Sequence, residues 1–139
     1  MSEVDADSVR ARLLAMRELL DHLASLGTVT AGRLGTDFGL RLQVERVLSQ
    51  VITLATEINM HVTARVLGRA PAGLREGFET MATAGWLTDD LARQLQGSTG
   101  LRNVLVHEYV RVDLEIVAES VPLVLEGYGT YIREVASRL

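Results

Sequence analysis

The chain contains no cysteine and no lysine. The first absence removes disulfides, thiolate zinc sites and cysteine nucleophiles. The second removes Schiff-base lysines and the P-loop, and it leaves all 14 basic residues as arginine. Proline occurs only twice and aromatic residues make up 4 % of the 139 positions. With much Leu, Ala, Val, Arg and Glu around them, that scarcity predicts helices rather than strands. No window approaches the roughly 18 consecutive apolar residues of a membrane span, although hydrophobic residues reach 47 %. So apolar a small chain is expected to bury its surplus against a partner, most simply a second copy of itself. The opening Met1-Ser2-Glu3-Val4-Asp5-Ala6-Asp7 lacks the basic head and apolar middle of a signal peptide, so a cytoplasmic protein is expected. A formal charge of −4 argues against a general nucleic-acid binder and leaves any such role to a local arginine cluster.

What is present is helical periodicity. Val9, Leu13, Met16, Leu20 and Leu23 recur at helical spacing, with Asp7 or Ser8 as cap and Gly27 as stop. Four glycines between Gly27 and Gly39 predict a connecting loop. A long helix from about Asp37 to Leu67 follows, closed by Gly68, and Pro71 with Gly73 marks a turn. Shorter helices are expected at about Leu74 to Ala84 and, capped by Thr88, at Asp89 to Leu95. After the Gly97-Ser98-Thr99-Gly100 break, Asp113 caps a last helix in which Pro122 is expected to produce a kink or local opening. Five helices with short links, without period-2 alternation, predict an all-α bundle occupying 1–139 as one domain.

Elimination narrows the chemistry. His22 and His61 sit in long amphipathic helices and carry no metal-ligand spacing. No GxGxxG follows a strand, and Ser49 and Ser98 lie in no nucleophile elbow. Arg102, Asn103, His107 and Tyr109 remain, interleaved with Leu101, Val104, Leu105 and Val106. In a regular helix, Arg102 and His107 lie about 140° apart around the axis, whereas Asn103 and His107 share a face. Either the helix breaks near His107, or the site is assembled from two copies of the segment. The residue types suit metal-free RNA cleavage. A near-neutral imidazole can deprotonate the ribose 2′-OH, and a guanidinium can stabilise the phosphorane oxygens.

The run Arg102-Asn103-Val104-Leu105-Val106-His107-Glu108-Tyr109 resembles the RX4HXY motif of the HepT toxins, within the HEPN superfamily (DUF86-like). The resemblance extends through Glu45-Arg46-Val47-Leu48, through Phe78 to Trp86-Leu87 with Leu91 and Leu95, and through Val112-Asp113-Leu114. It implies a HEPN-like bundle that dimerises with the two motifs facing one cleft. It also implies metal-independent endoribonuclease activity without a cofactor, as the toxin of a type VII-like toxin–antitoxin pair. Arg102 and His107 carry over as catalytic residues and Asn103 as a supporting one. Tyr109 matches the tyrosine that an MntA-type minimal nucleotidyltransferase antitoxin adenylylates, which would place phosphate charge where the RNA backbone should lie. A different class of function stands beside it: a non-catalytic helical adaptor that binds and positions a nucleotidyltransferase subunit.

Overall fold

Five helices of this chain begin where a short acceptor side chain satisfies a free N–H group of the first turn. The computed structural model describes residues 3–107 and 112–139, and the side chains of Val106 and His107 lie outside that description. Among the described residues it forms seven helices and no strand: α1 (Ala6–Ser25), α2 (Ala31–Thr36), α3 (Phe38–Leu67), α4 (Leu74–Thr83), α5 (Asp89–Gln96), α6 (Thr99–His107) and α7 (Leu114–Ala136). Asp37, Thr88 and Asp113 cap α3, α5 and α7 by accepting from Leu40 N, Leu91 N and Ile116 N, the last two as the sequence predicts. Gly68 closes α3 in the left-handed region at φ 73°, where a side chain would be strained.

Four expectations need correction. The cap of α1 is Asp5, whose carboxylate accepts from Ser8 N, so the helix starts earlier than a cap at Asp7 or Ser8 implied. The glycine-rich stretch is not a plain loop. Thr30 caps α2 within it, and Leu34, fully buried, anchors that short helix to the core. The bundle therefore has seven described helices rather than five, α2 and α6 being the additions. Pro122 does not interrupt α7, which continues as α-helix through it.

The long helices α1, α3 and α7 make the frame. Asp5 N donates to His61 Nε2, Arg12 pairs with Glu57, and His22 Nε2 meets Gln43 Oε1, so α1 runs antiparallel to α3. Arg10 reaches the carbonyl of Leu139, which sets α1 antiparallel to α7 as well. His22 and His61 thus hold helices together, in keeping with their place on amphipathic faces. Fully buried Leu20, Leu23, Leu48, Ile52 and Ile58 fill the space between. Burying each such side chain stabilises the fold by about 1.5–3 kcal/mol.

One end of the frame is polar at its centre. Phe78 of α4 meets Tyr128 and Tyr131 of α7 edge-on, at centroid distances of 6.4 and 6.3 Å, and the tyrosine rings lie 6.0 Å apart. Tyr131 Oη donates to Asn59 Oδ1 at 2.7 Å, tying α7 to α3, while Asn59 Nδ2 is buried against Gly77 with no partner among the described residues. Burial pushes both phenols well above the ordinary tyrosine range, and for Tyr131 the neighbouring Tyr128 adds to the effect.

A raised folded-state pKa means that the stabilisation is fully present below the unfolded value near 10 and is lost as pH rises toward the folded one. With no lysine in the chain, tyrosine dominates side-chain titration in that window. Stability to urea is expected to fall above about pH 10 by up to roughly 1.4 kcal/mol per pH unit for each buried phenol. Tyr131→Phe should flatten that slope, and at neutral pH should lower stability by about 1–3 kcal/mol because Asn59 Oδ1 is left without a donor. A wild-type stability that stays level from pH 9 to 11 would contradict this account.

Candidate functional site

Helix α6 carries the residues singled out by the sequence. Leu101 is buried and Leu105, one turn on, packs against the core, so these two fix the inward face. Arg102 and Asn103 are both exposed on the outward side. The backbone stays α-helical from Thr99 to His107. Positions 102 and 107 therefore lie about 140° apart around the axis and about 7.5 Å apart along it. No break falls between them, and a break just beyond His107 would lie outside the described residues. The structure brings Arg102 and Asn103 together; the His107 side chain and Tyr109 lie outside the described residues.

The start of α6 is held from beneath. Ser98 Oγ gives its proton to Leu95 O at 2.6 Å, so at 2.7 Å the Tyr128 hydroxyl is the donor to that same Oγ. The raised phenol pKa keeps Tyr128 protonated and able to donate. Helix α5, which delivers the chain to this point, packs closely on α7. A Cβ added at Gly127 would stand 3.0 Å from Leu95 Cδ2 and 3.3 Å from Gln94 Nε2, so a larger residue there would require these α5 side chains to give way. Gln96, also buried, donates to Glu79 Oε1 at 2.8 Å and to Arg75 O at 3.3 Å, which locks α5 against α4.

The result is an open groove of about 700 Å³ between the α3–α4 turn, α4 and the first half of α6. Arg69, Arg75, Arg102 and Asn103 line it, with Thr80, Thr83 and Thr99. Two carboxylates share the wall. Glu76 accepts from Ala72 N at 3.1 Å and stands 3.9 Å from Arg69, and Glu79 is held by Gln96. Forked cations beside a side-chain amide on a concave surface suit an anionic ester better than an apolar ligand. Arg69 and Arg75 were not singled out from the sequence, where Pro71 and Gly73 read only as a turn. The signal available was an arginine on either side of that turn. The arginines of the long helix do not line this groove: Arg41, for example, is tied to Glu45 at 2.9 Å. Among the described residues no cluster of His, Asp and Glu is placed to hold a metal ion, and no helix is long and apolar enough to cross a membrane.

Known proteins share this layout. The family model described as Ribonuclease HepT-like matches residues 16–134. The chain is 30 % identical over its full length to the tRNA nuclease HepT of Aphanizomenon flos-aquae, covering 95 % of that protein. It is 29 % identical over 69 % of its length to the mRNA nuclease HepT of Shewanella oneidensis, covering 72 % of that protein. Its fold superposes on the solved structure of a tri-AMPylated Shewanella oneidensis HEPN toxin in complex with MNT antitoxin. The TM-score there is 0.82 at 22 % identity, over 94 % of this chain and 98 % of that one.

If Tyr128 anchors α6 through Ser98, Tyr128→Phe should cost about 1 kcal/mol of global stability. Its local effect should be larger: amide hydrogen exchange in α6 is expected to accelerate more than exchange in α3. Equal acceleration in both helices would remove the anchoring role.

Proposed function

The chain belongs to the ribonuclease HepT-like family, and on that premise we propose that it is a metal-independent endoribonuclease, the toxin half of a type VII-like toxin–antitoxin pair. In this reading it works in the cytoplasm as a single-domain homodimer and is held in check by an MntA-type nucleotidyltransferase antitoxin. The observation that carries the reading is the exposed pair Arg102 and Asn103 on an arginine-lined groove, within an RX4HXY run. The full-length similarity to a tRNA nuclease supports it.

The chemistry follows from the residue types. His107 takes the proton of a ribose 2′-OH, and the freed oxygen attacks the adjacent phosphorus. Arg102 neutralises charge on the phosphorane oxygens, and the Asn103 amide orients the phosphate. The P–O5′ bond breaks, and the departing 5′-oxygen takes a proton from the His107 of a second copy. The products are a 2′,3′-cyclic phosphate and a 5′-OH. The roughly 140° between positions 102 and 107 on one helix supports a site completed by two protomers.

Silencing is proposed at Tyr109. Its phenol oxygen attacks the α-phosphorus of ATP, pyrophosphate leaves, and the added AMP sets a negative phosphodiester beside the arginines. The AMPylated state of the Shewanella oneidensis toxin in its antitoxin complex supports this step.

The purified protein is expected to cleave RNA in EDTA and to leave 2′,3′-cyclic phosphate ends. His107→Ala should slow cleavage by about 10²–10⁴, and Arg102→Ala should abolish detectable product. Cleavage that survives in both variants would sink the assigned mechanism. Absence of cleavage in the wild type, with tight binding to the transferase, would favour the adaptor reading.

Incubation with the partner transferase and ATP is expected to add one or more AMP units, mapped by peptide mass spectrometry to Tyr109. An AMP-free Tyr109 alongside lost nuclease activity would make silencing a matter of binding alone.

A further inference from the structure

The groove holds cations that the proposed chemistry leaves idle. Arg69 lies in the turn after α3, and Arg75 in the first turn of α4. Both are exposed, and both line the concavity that contains Arg102 and Asn103. Three of the 14 arginines thus converge from three separate elements of a chain whose formal charge is −4. Several arginines elsewhere are occupied: Arg12 with Glu57, Arg17 with Asp21, Arg41 with Glu45 and Arg93 with Asp90.

The groove's two carboxylates offset part of this charge and leave its three arginines one formal positive charge in excess. Glu76 is engaged by Ala72 N–H and Glu79 by the Gln96 amide. The Arg69–Glu76 pair is 3.9 Å long and its arginine side chain is 65 % exposed, so it is weak and exchangeable for a stronger anion. Phosphate matches a guanidinium fork better than a distant carboxylate does. The lining residues include no aromatic side chain. Among the described residues the groove can therefore hold a sugar–phosphate backbone and offers no aromatic face on which bases stack.

We propose that this groove is the track for the backbone of single-stranded RNA on one side of the scissile bond. Arg69 and Arg75 bind its phosphates, while Arg102 and Asn103 sit at the end nearest the reacting one. The single strand is required because in-line attack by a 2′-oxygen needs a backbone free to leave A-form geometry. The inference rests on the endoribonuclease reading, and it adds two backbone-binding residues and a base-indifferent mode of recognition.

The test uses full-length protein carrying His107→Ala, so that binding is read without cleavage, and a labelled oligouridylate and oligoadenylate as probes. Anisotropy titrations across a salt series should show that Arg69→Ala with Arg75→Ala lowers the slope of log affinity against log salt by about 1.4, or about 0.7 per phosphate contact on a single strand. Both probes should respond alike. Arg69→Lys with Arg75→Lys should keep the slope, which a misfolded groove would not, and Glu79→Gln should tighten binding. In protein with His107 intact, the double alanine change should raise KM for RNA with little loss in kcat.

An unchanged slope and KM in a cleaving protein would overturn the inference and leave the nuclease reading standing. Arginine-dependent binding by a wild type that cleaves nothing would do the reverse. A double alanine variant that binds both probes normally but no longer associates with the transferase would mark the groove as a protein interface and overturn the proposal. So would a response confined to one of the two probes.

Discussion

Two hydroxyls on one helix hold this molecule in register. Tyr128 and Tyr131 stand three residues apart on α7 and reach in different directions, one to Ser98 at the start of α6 and the other to Asn59 in α3. Phe78 packs edge-on against both rings and brings α4 to the same point. Four helices are thereby referred to a single buried cluster. The phenols can serve there because burial keeps them protonated, so they donate rather than repel. Removing the rings would leave a large cavity; removing only the hydroxyls would leave polar groups buried without partners, a smaller but directional loss. The second kind of loss bears on the site, since the start of α6 sets where Arg102 and Asn103 stand.

Charge shows why a whole-chain average misleads. At −4 the protein repels polyanions at long range, and a Debye length of about 8 Å at physiological salt confines that repulsion. What a bound phosphate meets is the local arrangement. In the groove, three guanidinium groups face two carboxylates that already accept N–H donors. Much of the remaining acidity is spent on helix caps, as at Asp5, Asp37 and Asp113, or on i,i+3 and i,i+4 pairs such as Arg17–Asp21. An acidic chain can in this way carry one basic concavity.

Much of the fold was legible from spacing alone. The stripes of α1, α3 and α7, the start of α3 near Asp37, the caps Thr88 and Asp113, and the stop at Gly68 all lie where local chemistry put them. What was illegible depended on tertiary contact. Glycines at 32 and 35 hid α2 because they are exposed, while the residue that forms the helix's anchor, Leu34, is a single leucine without a period. Pro122 read as a kink or local opening because its missing N–H weakens a helix, yet α7 runs on as α-helix through it, with Val117, Val121, Val124 and Tyr128 buried on its inward face. Arg102 and Asn103 were found through a motif. Arg69 and Arg75 were not, because nothing in one sequence says that residues 27 and more positions away close the other side of the same groove.

The spacing inside the motif has its own logic. A separation of four would have set the arginine and the histidine positions on one face of α6; a separation of five sets them apart by about 140°. Asn103, one step after Arg102, is about 100° from it and yet lines the same groove, so the groove wraps a wide arc of the helix. Position 107 falls within about 40° of position 103, since the two are a turn apart. Asn103 therefore stands between the arginine side of the helix and the side from which position 107 departs. If the phosphate backbone lies along the arginines and the proton transfers occur on the other side, the Asn103 amide is the group that both must pass. A residue that merely supported Arg102 would not need to occupy that boundary. One that orients the scissile phosphate between two protomers would have to, because the helix offers no other polar side chain on that arc among the described residues of α6 after Thr99.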